Sequence, residues 1–290
     1  MSVDPNWTTL VDVSTLAGTL AHPQVRVLDA RAAPPTAPDP EAARKAYAQG
    51  HLPGAFHADL DHDLADLSRP GQGRHPLPHA ADFARRLGGW GIDPTSQVVV
   101  YDAGDGSMAA ARAWWMLRLM GHRRVAVLDG GLAAWHAAGL PETGEQPEQH
   151  EGPAYPGSFD SAAVVDAEYI LARLGQAPGW LLDARAGERF RGELEPIDPV
   201  AGHVPGAVSR PLGLSLRDGR FKPAEELHAE LSALLGAYRP EQAVVMCGSG
   251  VTACHLLLAL EVAGLPGARV YAGSWSGWLQ DRSRPVATAA

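Results

Sequence analysis

Cysteine is almost missing from this chain. Its 290 residues include two, Cys247 and Cys254. That excludes a disulfide framework and fits a reducing compartment. No set of Cys and His residues has finger-like spacing, so no bound zinc is expected. Basic residues are short as well, 24 Lys and Arg against 33 Asp and Glu, for a formal net charge of −9. A nucleic-acid binder would normally show the opposite balance. No stretch approaches the ~18 uninterrupted apolar residues of a membrane span. Residues 1–20 lack a basic region followed by an apolar core, so no secretory signal is expected. Together these absences make the cytoplasm the expected location. What is plentiful is apolar residues, at 46%, enough for one large domain or two of ordinary size.

The chain carries two copies of one unit. Val27-Leu28-Asp29-Ala30-Arg31 returns as Leu181-Leu182-Asp183-Ala184-Arg185. Gly50-His51-Leu52-Pro53-Gly54-Ala55 returns as Gly202-His203-Val204-Pro205-Gly206-Ala207. Gln97 to Asp102 matches Gln242 to Cys247, and Val127 to Gly131 with Trp135 matches Val270 to Ser274 with Trp278. Four matches in one order define a duplication, with a period far too long for a solenoid repeat. The expected domains are 1–140 and 161–290. Residues 141–160, rich in Pro, Gly and Glu, read as an extended linker.

Within each copy, short apolar runs alternate with helical patterns. Strands are expected at 25–28, 98–101 and 125–128, and again at 180–182, 243–246 and 269–271. Helices are expected at 80–87, 108–120, 224–235 and 251–263. Strands that are apolar on both faces and separated by helices predict α/β domains with mainly parallel sheets. Ligands of such sheets bind beyond the carboxyl ends of the strands. Trp114 and Trp115, inside an apolar helix, read as packing residues; Trp275 reads as packing or as a site wall.

One strand end carries chemistry. Val244-Val245-Met246-Cys247-Gly248-Ser249-Gly250-Val251-Thr252 runs from buried strand through a glycine-spaced turn into a helix. A cysteine there faces inward N–H groups and the positive end of a helix dipole, which favour a thiolate. Gly248 and Gly250 let the backbone turn inward, and Ser249 and Thr252 add hydroxyls. Cys254 lies inside the helix and reads as packing. A cysteine phosphatase needs an arginine six positions after the nucleophile to clamp phosphate oxygens. Position 253 is Ala, so sulfur transfer is the remaining chemistry. The thiolate becomes a persulfide, held by the same N–H groups, and passes its outer sulfur on. This needs no metal and no organic cofactor.

The loop Cys247 to Ala253 resembles the active-site loop of the tandem-domain rhodaneses, the thiosulfate and 3-mercaptopyruvate sulfurtransferases. The Asp-Ala-Arg, Gly-His-x-Pro-Gly-Ala and Asp-Gly-Gly/Gly-Ser-Trp elements extend the resemblance over nearly the whole chain. It implies two rhodanese-like domains of which the second is catalytic. Asp102 stands in the first at the place of Cys247, so the first half is expected to be scaffold. Thiosulfate-preferring members have basic residues between the cysteine and the second glycine. Here Gly248 and Ser249 are neutral, which resembles the mercaptopyruvate type. In that type the loop serine joins a His and an Asp, and the matching residues are His75 and Asp61.

The resemblance further implies that Arg189 binds the donor carboxylate, and that residues 248–252 (Gly248, Gly250, Val251 and Thr252 with Ser249) cradle the transferred sulfur. Arg185 reads as structural because Arg31 repeats it. A second arginine of the mercaptopyruvate type follows a Glu-Pro pair, but Glu195-Pro196 is followed here by Ile197. Arg210 is the expected substitute. The expected partners are a small-molecule donor, with 3-mercaptopyruvate ahead of thiosulfate, and a thiophilic acceptor. No nucleic acid or membrane is expected, and the chain is expected to be a monomer. The alternative of another class is a non-enzymatic binding module on the same fold.

Overall fold

The duplicated motifs become duplicated elements in the computed structural model, which describes residues 5–288 except 35, 38 and 107. In chain order, the first half forms β1 (Leu10–Val11), α1 (Val13–Thr19), β2 (Val25–Asp29), α2 (Pro40–Gln49), β3 (Ala55–His57), α3 (Ala80–Gly89), β4 (Gln97–Tyr101), α4 (Ala109–Leu119), β5 (Val125–Leu128) and α5 (Gly131–Ala137). The second half begins with β6 (Val164–Val165), α6 (Ala167–Leu171), β7 (Leu181–Asp183), α7 (Gly187–Arg191) and β8 (Val208–Ser209). It continues with β9 (Leu216–Arg217), β10 (Arg220–Phe221), α8 (Ala224–Leu235), β11 (Val244–Met246), α9 (Ala253–Val262), β12 (Arg269–Tyr271) and α10 (Ser274–Trp278).

Each half closes a five-stranded sheet of the same topology. The orders are β1-β5-β4-β2-β3 and β6-β12-β11-β7-β8, with every pairing parallel. β9 and β10 form a separate antiparallel ribbon. The central strands are buried along their whole length, as in the Val-rich β4 and β11, because helices cover both faces of a parallel sheet. Local signals repeat too. Asp12 and Asp166 cap α1 and α6, accepting from the N–H groups of Thr15 and Tyr169. Asp29 and Asp183 each chelate the arginine two residues on, and Arg31 and Arg185 each donate to a glycine carbonyl, Gly50 or Gly202. The added backbone acceptor helps offset the cost of burying each ion pair. Trp135 and Trp278 donate to Pro141 and Pro285 carbonyls at 3.0 Å in each half.

The units are not continuous in sequence. One comprises Met1–Ala65 with Pro78–Asp160, the other Asp66–Leu77 with Ser161–Ala290. Residues 66–77, expected with the first half, pack with the second. The segment has no helix or strand to hold it at home, and its backbone finds partners elsewhere: the Arg74 N–H donates to Ser276 Oγ at 2.9 Å. Residues 141–160 are irregular, as expected, but they are pinned to the first unit. Thr143 bridges His51, and the N–H groups of His150, Tyr155 and Asp160 donate to Gly89, Ala84 and Leu119 carbonyls. Helix α9 starts at Ala253 rather than 251, because Val251 and Thr252 stay in the loop before it. Trp114, Trp115 and Trp275 are all buried. Among the described residues no helix is long and apolar enough to cross a membrane.

Candidate active site

Strand β11 delivers Cys247 to its carboxyl end, and α10 fixes it there. The N–H groups of Trp275 and Ser276 donate to the carbonyls of Cys247 and Gly248, both at 2.9 Å. The Cys247 N–H donates to Ser274 Oγ at 3.1 Å, and that hydroxyl donates to the Tyr271 carbonyl at 2.9 Å. Ser274 holds a left-handed backbone, φ 52°, which a residue with a side chain adopts only at a cost. Cys247 is 1% exposed.

The turn after the cysteine points a donor at sulfur. The Gly250 N–H donates to Cys247 Sγ at 3.1 Å. Gly250 must be glycine twice over: its φ is +80°, and an added Cβ would lie 2.3 Å from the Ala272 carbonyl oxygen. Behind it, the Cys254 thiol donates to the Gly250 carbonyl at 3.3 Å, which agrees with its reading as a buried packing residue. Val251 and Ser249 are buried, and Thr252 is half-buried at the start of α9. His75 Nδ1 lies 2.8 Å from Ser249 Oγ, so the expected serine–histidine contact is made within the second unit. Asp61 belongs to the first unit, in the turn after β3, where its N–H donates to Asp59 Oδ1 at 2.9 Å.

The cations divide into three groups. Arg185 is structural: it chelates Asp183, and its guanidinium lies 4.7 Å from the Trp275 ring centroid. Trp275 in turn donates to the Val200 carbonyl, so it packs against the arginine. Arg210 is committed elsewhere. It donates to Glu230 at 2.7 Å and to the Leu214 carbonyl at 3.2 Å. Lys222 and Arg210 hold the Glu230 carboxyl below the usual range. The expectation that Arg210 replaces the arginine absent at Ile197 is therefore corrected: its guanidinium serves α8.

Arg189 and Arg74 do reach the loop. Glu195 grips Arg189 in a bidentate pair at 2.7–3.1 Å. A Cβ on Gly248 would sit 3.1 Å from Arg74 Nη2 and 3.6 Å from both Arg189 Nη atoms. Arg74 escaped sequence reasoning because it neighbours His75 in a segment with no periodic pattern; its adjacency to that histidine was the one available signal. Asp198, also missed, bridges the two arginines, 2.5 Å from Arg74 and 3.0 Å from Arg189.

In the first unit the corresponding loop has no thiol. Asp102 Oδ1 accepts from the N–H groups of Gly104 and Gly106 at 3.2 and 2.9 Å, and Oδ2 from Met108 and Ala110 at 3.0 and 3.4 Å. Burial pushes this carboxyl above the usual range while the N–H groups pull it down. The nest is thus filled by the chain's own carboxyl group.

The second loop can do more. A buried thiol with an inward N–H on its sulfur, a serine–histidine pair and two guanidinium groups form a site for attack on the sulfur of an anionic donor. Known sulfurtransferases are similar to this chain over most of its length. The rhodanese-like domain pattern matches residues 12–138 and 166–281. A "Probable 3-mercaptopyruvate sulfurtransferase" of Pseudomonas aeruginosa is 50% identical over 282 residues, covering 96% of this chain and 98% of that one. A thiosulfate sulfurtransferase of Bos taurus is 37% identical over 262 residues, covering 88% and 85%. The crystal structure of SseA, a 3-mercaptopyruvate sulfurtransferase of Escherichia coli, superposes with a TM-score of 0.79 at 33% identity, covering 93% of this chain and 100% of that one. By sequence, by fold and by the cysteine loop, the chain belongs to the rhodanese family of sulfurtransferases, with two rhodanese-like domains in tandem.

Proposed function

We propose that the protein takes sulfur from 3-mercaptopyruvate, carries it as a persulfide on Cys247, and gives it to a thiophilic small molecule such as cyanide or a thiol. The observation that carries the donor choice is the Ser249–His75 contact at 2.8 Å beside the cysteine. The thiolate attacks the donor sulfur. An S–S bond forms, the C–S bond breaks, and its electron pair passes to the donor carbonyl as an enolate of pyruvate. That enolate needs a proton; a hydroxyl backed by an imidazole supplies one and recovers it from the donor's own S–H, which leaves pyruvate and an anionic persulfide. Thiosulfate leaves as sulfite and needs no such proton, so the pair would be idle with it. Asp61 is proposed, on the resemblance alone, as the carboxylate that fixes His75.

The persulfide is anionic, and the Gly250 N–H with its neighbours through Thr252 supports the negative charge. The acceptor then attacks the outer sulfur and restores the thiolate. Every step runs on side chains of this chain. A monomer in the cytoplasm acting on small molecules belongs to the same reading.

The test is direct. Incubation with 3-mercaptopyruvate adds the mass of one sulfur atom to the peptide holding Cys247, and kcat/KM for mercaptopyruvate exceeds that for thiosulfate with cyanide as acceptor. No adduct with either donor sinks the persulfide. A higher kcat/KM for thiosulfate moves the donor to the alternative carried by the thiosulfate-type relatives.

A further inference from the structure

We infer that Arg74 is the second donor-binding cation of this site, and that Asp198, the counter-ion it shares with Arg189, sets the donor charge the site accepts. This deepens the sulfurtransferase reading above and rests on it.

The loop itself has no cation. Position 248, next to the nucleophile, is a glycine whose φ is not among the positive ones. A Cβ there would press on Arg74 Nη2, at 3.1 Å, and touch Arg189 Nη1 and Nη2, at 3.6 Å, so both guanidinium groups lie against the loop. Positive charge reaches the cysteine loop from two remote segments.

Arg74 is built in. Its N–H is tied to Ser276 Oγ at 2.9 Å, on the same short helix that fixes Cys247. Gly73, with φ +93°, lies so close to Gly273 that a Cβ would sit 2.6 Å from its carbonyl oxygen. Arg74 Nη1 pairs with Asp198 at 2.5 Å, while its buried Nε has no hydrogen-bond partner among the described residues. A guanidinium next to a reactive thiol, with a buried donor unused, awaits an acceptor.

Charge then decides which acceptor fits. The carboxylates of Asp198 and Glu195 are only 3% and 4% exposed. Arg74 and Arg189 face these two negative charges, so the pair is close to neutral before a donor arrives. A monocarboxylate can share the unused guanidinium edges. A dianion such as thiosulfate meets the same edges but twice the repulsion from Asp198 and Glu195, in a partly desolvated place where charge acts strongly. Arg74 thus supplies the fork that Ile197 lacks, and Asp198 trims its charge.

The experiment uses the full chain with Arg74→Ala, Arg74→Lys and Asp198→Asn. Two readouts are kept separate. The first is KM and kcat for 3-mercaptopyruvate and for thiosulfate with cyanide. The second is protection of Cys247 from iodoacetamide by pyruvate, which needs no turnover and so reads Arg74 even if the donor assignment fails. Arg74→Ala is expected to raise the mercaptopyruvate KM and the pyruvate protection constant about tenfold or more, with kcat changed less. Arg74→Lys, which keeps the charge and the pairing with Asp198, should fall between and guards against misfolding of the alanine variant. Asp198→Asn should raise the thiosulfate to mercaptopyruvate ratio of kcat/KM about tenfold. Unchanged KM and unchanged protection in Arg74→Ala overturn the assignment of Arg74. An unchanged donor ratio in Asp198→Asn overturns the charge selection. Absence of a Cys247 persulfide in the unaltered enzyme would instead count against the proposed function itself.

Discussion

The two glycine loops, one after β4 and one after β11, occupy the same place in the same topology and hold different side chains. In the first, the Asp102 carboxyl fills its nest and accepts from four N–H groups among the described residues. In the second, Cys247 takes one N–H on its sulfur, from Gly250. A nest saturated by its own side chain cannot hold a transferred group. The helices that follow teach the same lesson. Gly131 and Ser274 share a left-handed backbone, φ 53° and 52°. The first is glycine because a Cβ would lie 2.3 Å from the Gly104 carbonyl oxygen. The second keeps a side chain, and its hydroxyl accepts the Cys247 N–H. Duplication kept the frame and diverged where the nucleophile is held.

The sharpest break of the comparison is Cys247→Ser, which should leave the fold intact and lower turnover by more than about 10³-fold. Full activity in a steady-state assay would mean that the nucleophile lies elsewhere. Next come Ser249→Ala and His75→Ala. Each should cost about 10²-fold in kcat with mercaptopyruvate and clearly less with thiosulfate; equal losses on both donors would remove the proton-transfer role. Against the first loop, at the start of α5, Gly131→Ala should lower stability by about 3 kcal/mol through the clash with Gly104 and the strained φ, read as a shift in urea midpoint.

Asp102→Ala should cost roughly 1–3 kcal/mol, because it strands buried N–H groups. The emptied nest should then take an external anion, so millimolar sulfate should raise the variant's Tm more than that of the unaltered protein. Equal shifts would show that the nest collapses without its carboxylate. The smallest effect is a pH slope. Burial raises the folded pKa of Asp102 above the unfolded value of about 3.9. The native state therefore binds the extra proton in the window between them, and this group's contribution falls as pH rises from about 4 through the folded value. Asp102→Asn removes the titration. Thermal melts across that window should show the unaltered protein losing stability relative to the variant, and a constant difference would contradict the assignment.

Much of this was readable from residues alone. The longer buried strands and helices followed from apolar runs, and 125–128, 224–235 and 269–271 match β5, α8 and β12 in their bounds. The shortest strands did not, because two residues, as in β1, β6 and β8, carry no period. They are strands because a neighbouring edge pairs with them. Ser249 and His75 were paired through their motifs, and the structure joins them. Arg74 and Asp198 were invisible, since an isolated charge in an irregular segment has no pattern to betray it.

The sequence by itself determined the duplication, the α/β architecture and the candidate nucleophile, because these depend on local spacing: a buried run, a cysteine, glycines at fixed offsets. Only the tertiary structure decided which cations serve that cysteine. Residues 66–77 pack with the second unit, so His75 and Arg74 join a loop more than 170 residues away in the chain, while Arg210 is taken by Glu230. Charges act through space, and the pairing of each guanidinium with a carboxylate is settled by packing that no local pattern encodes.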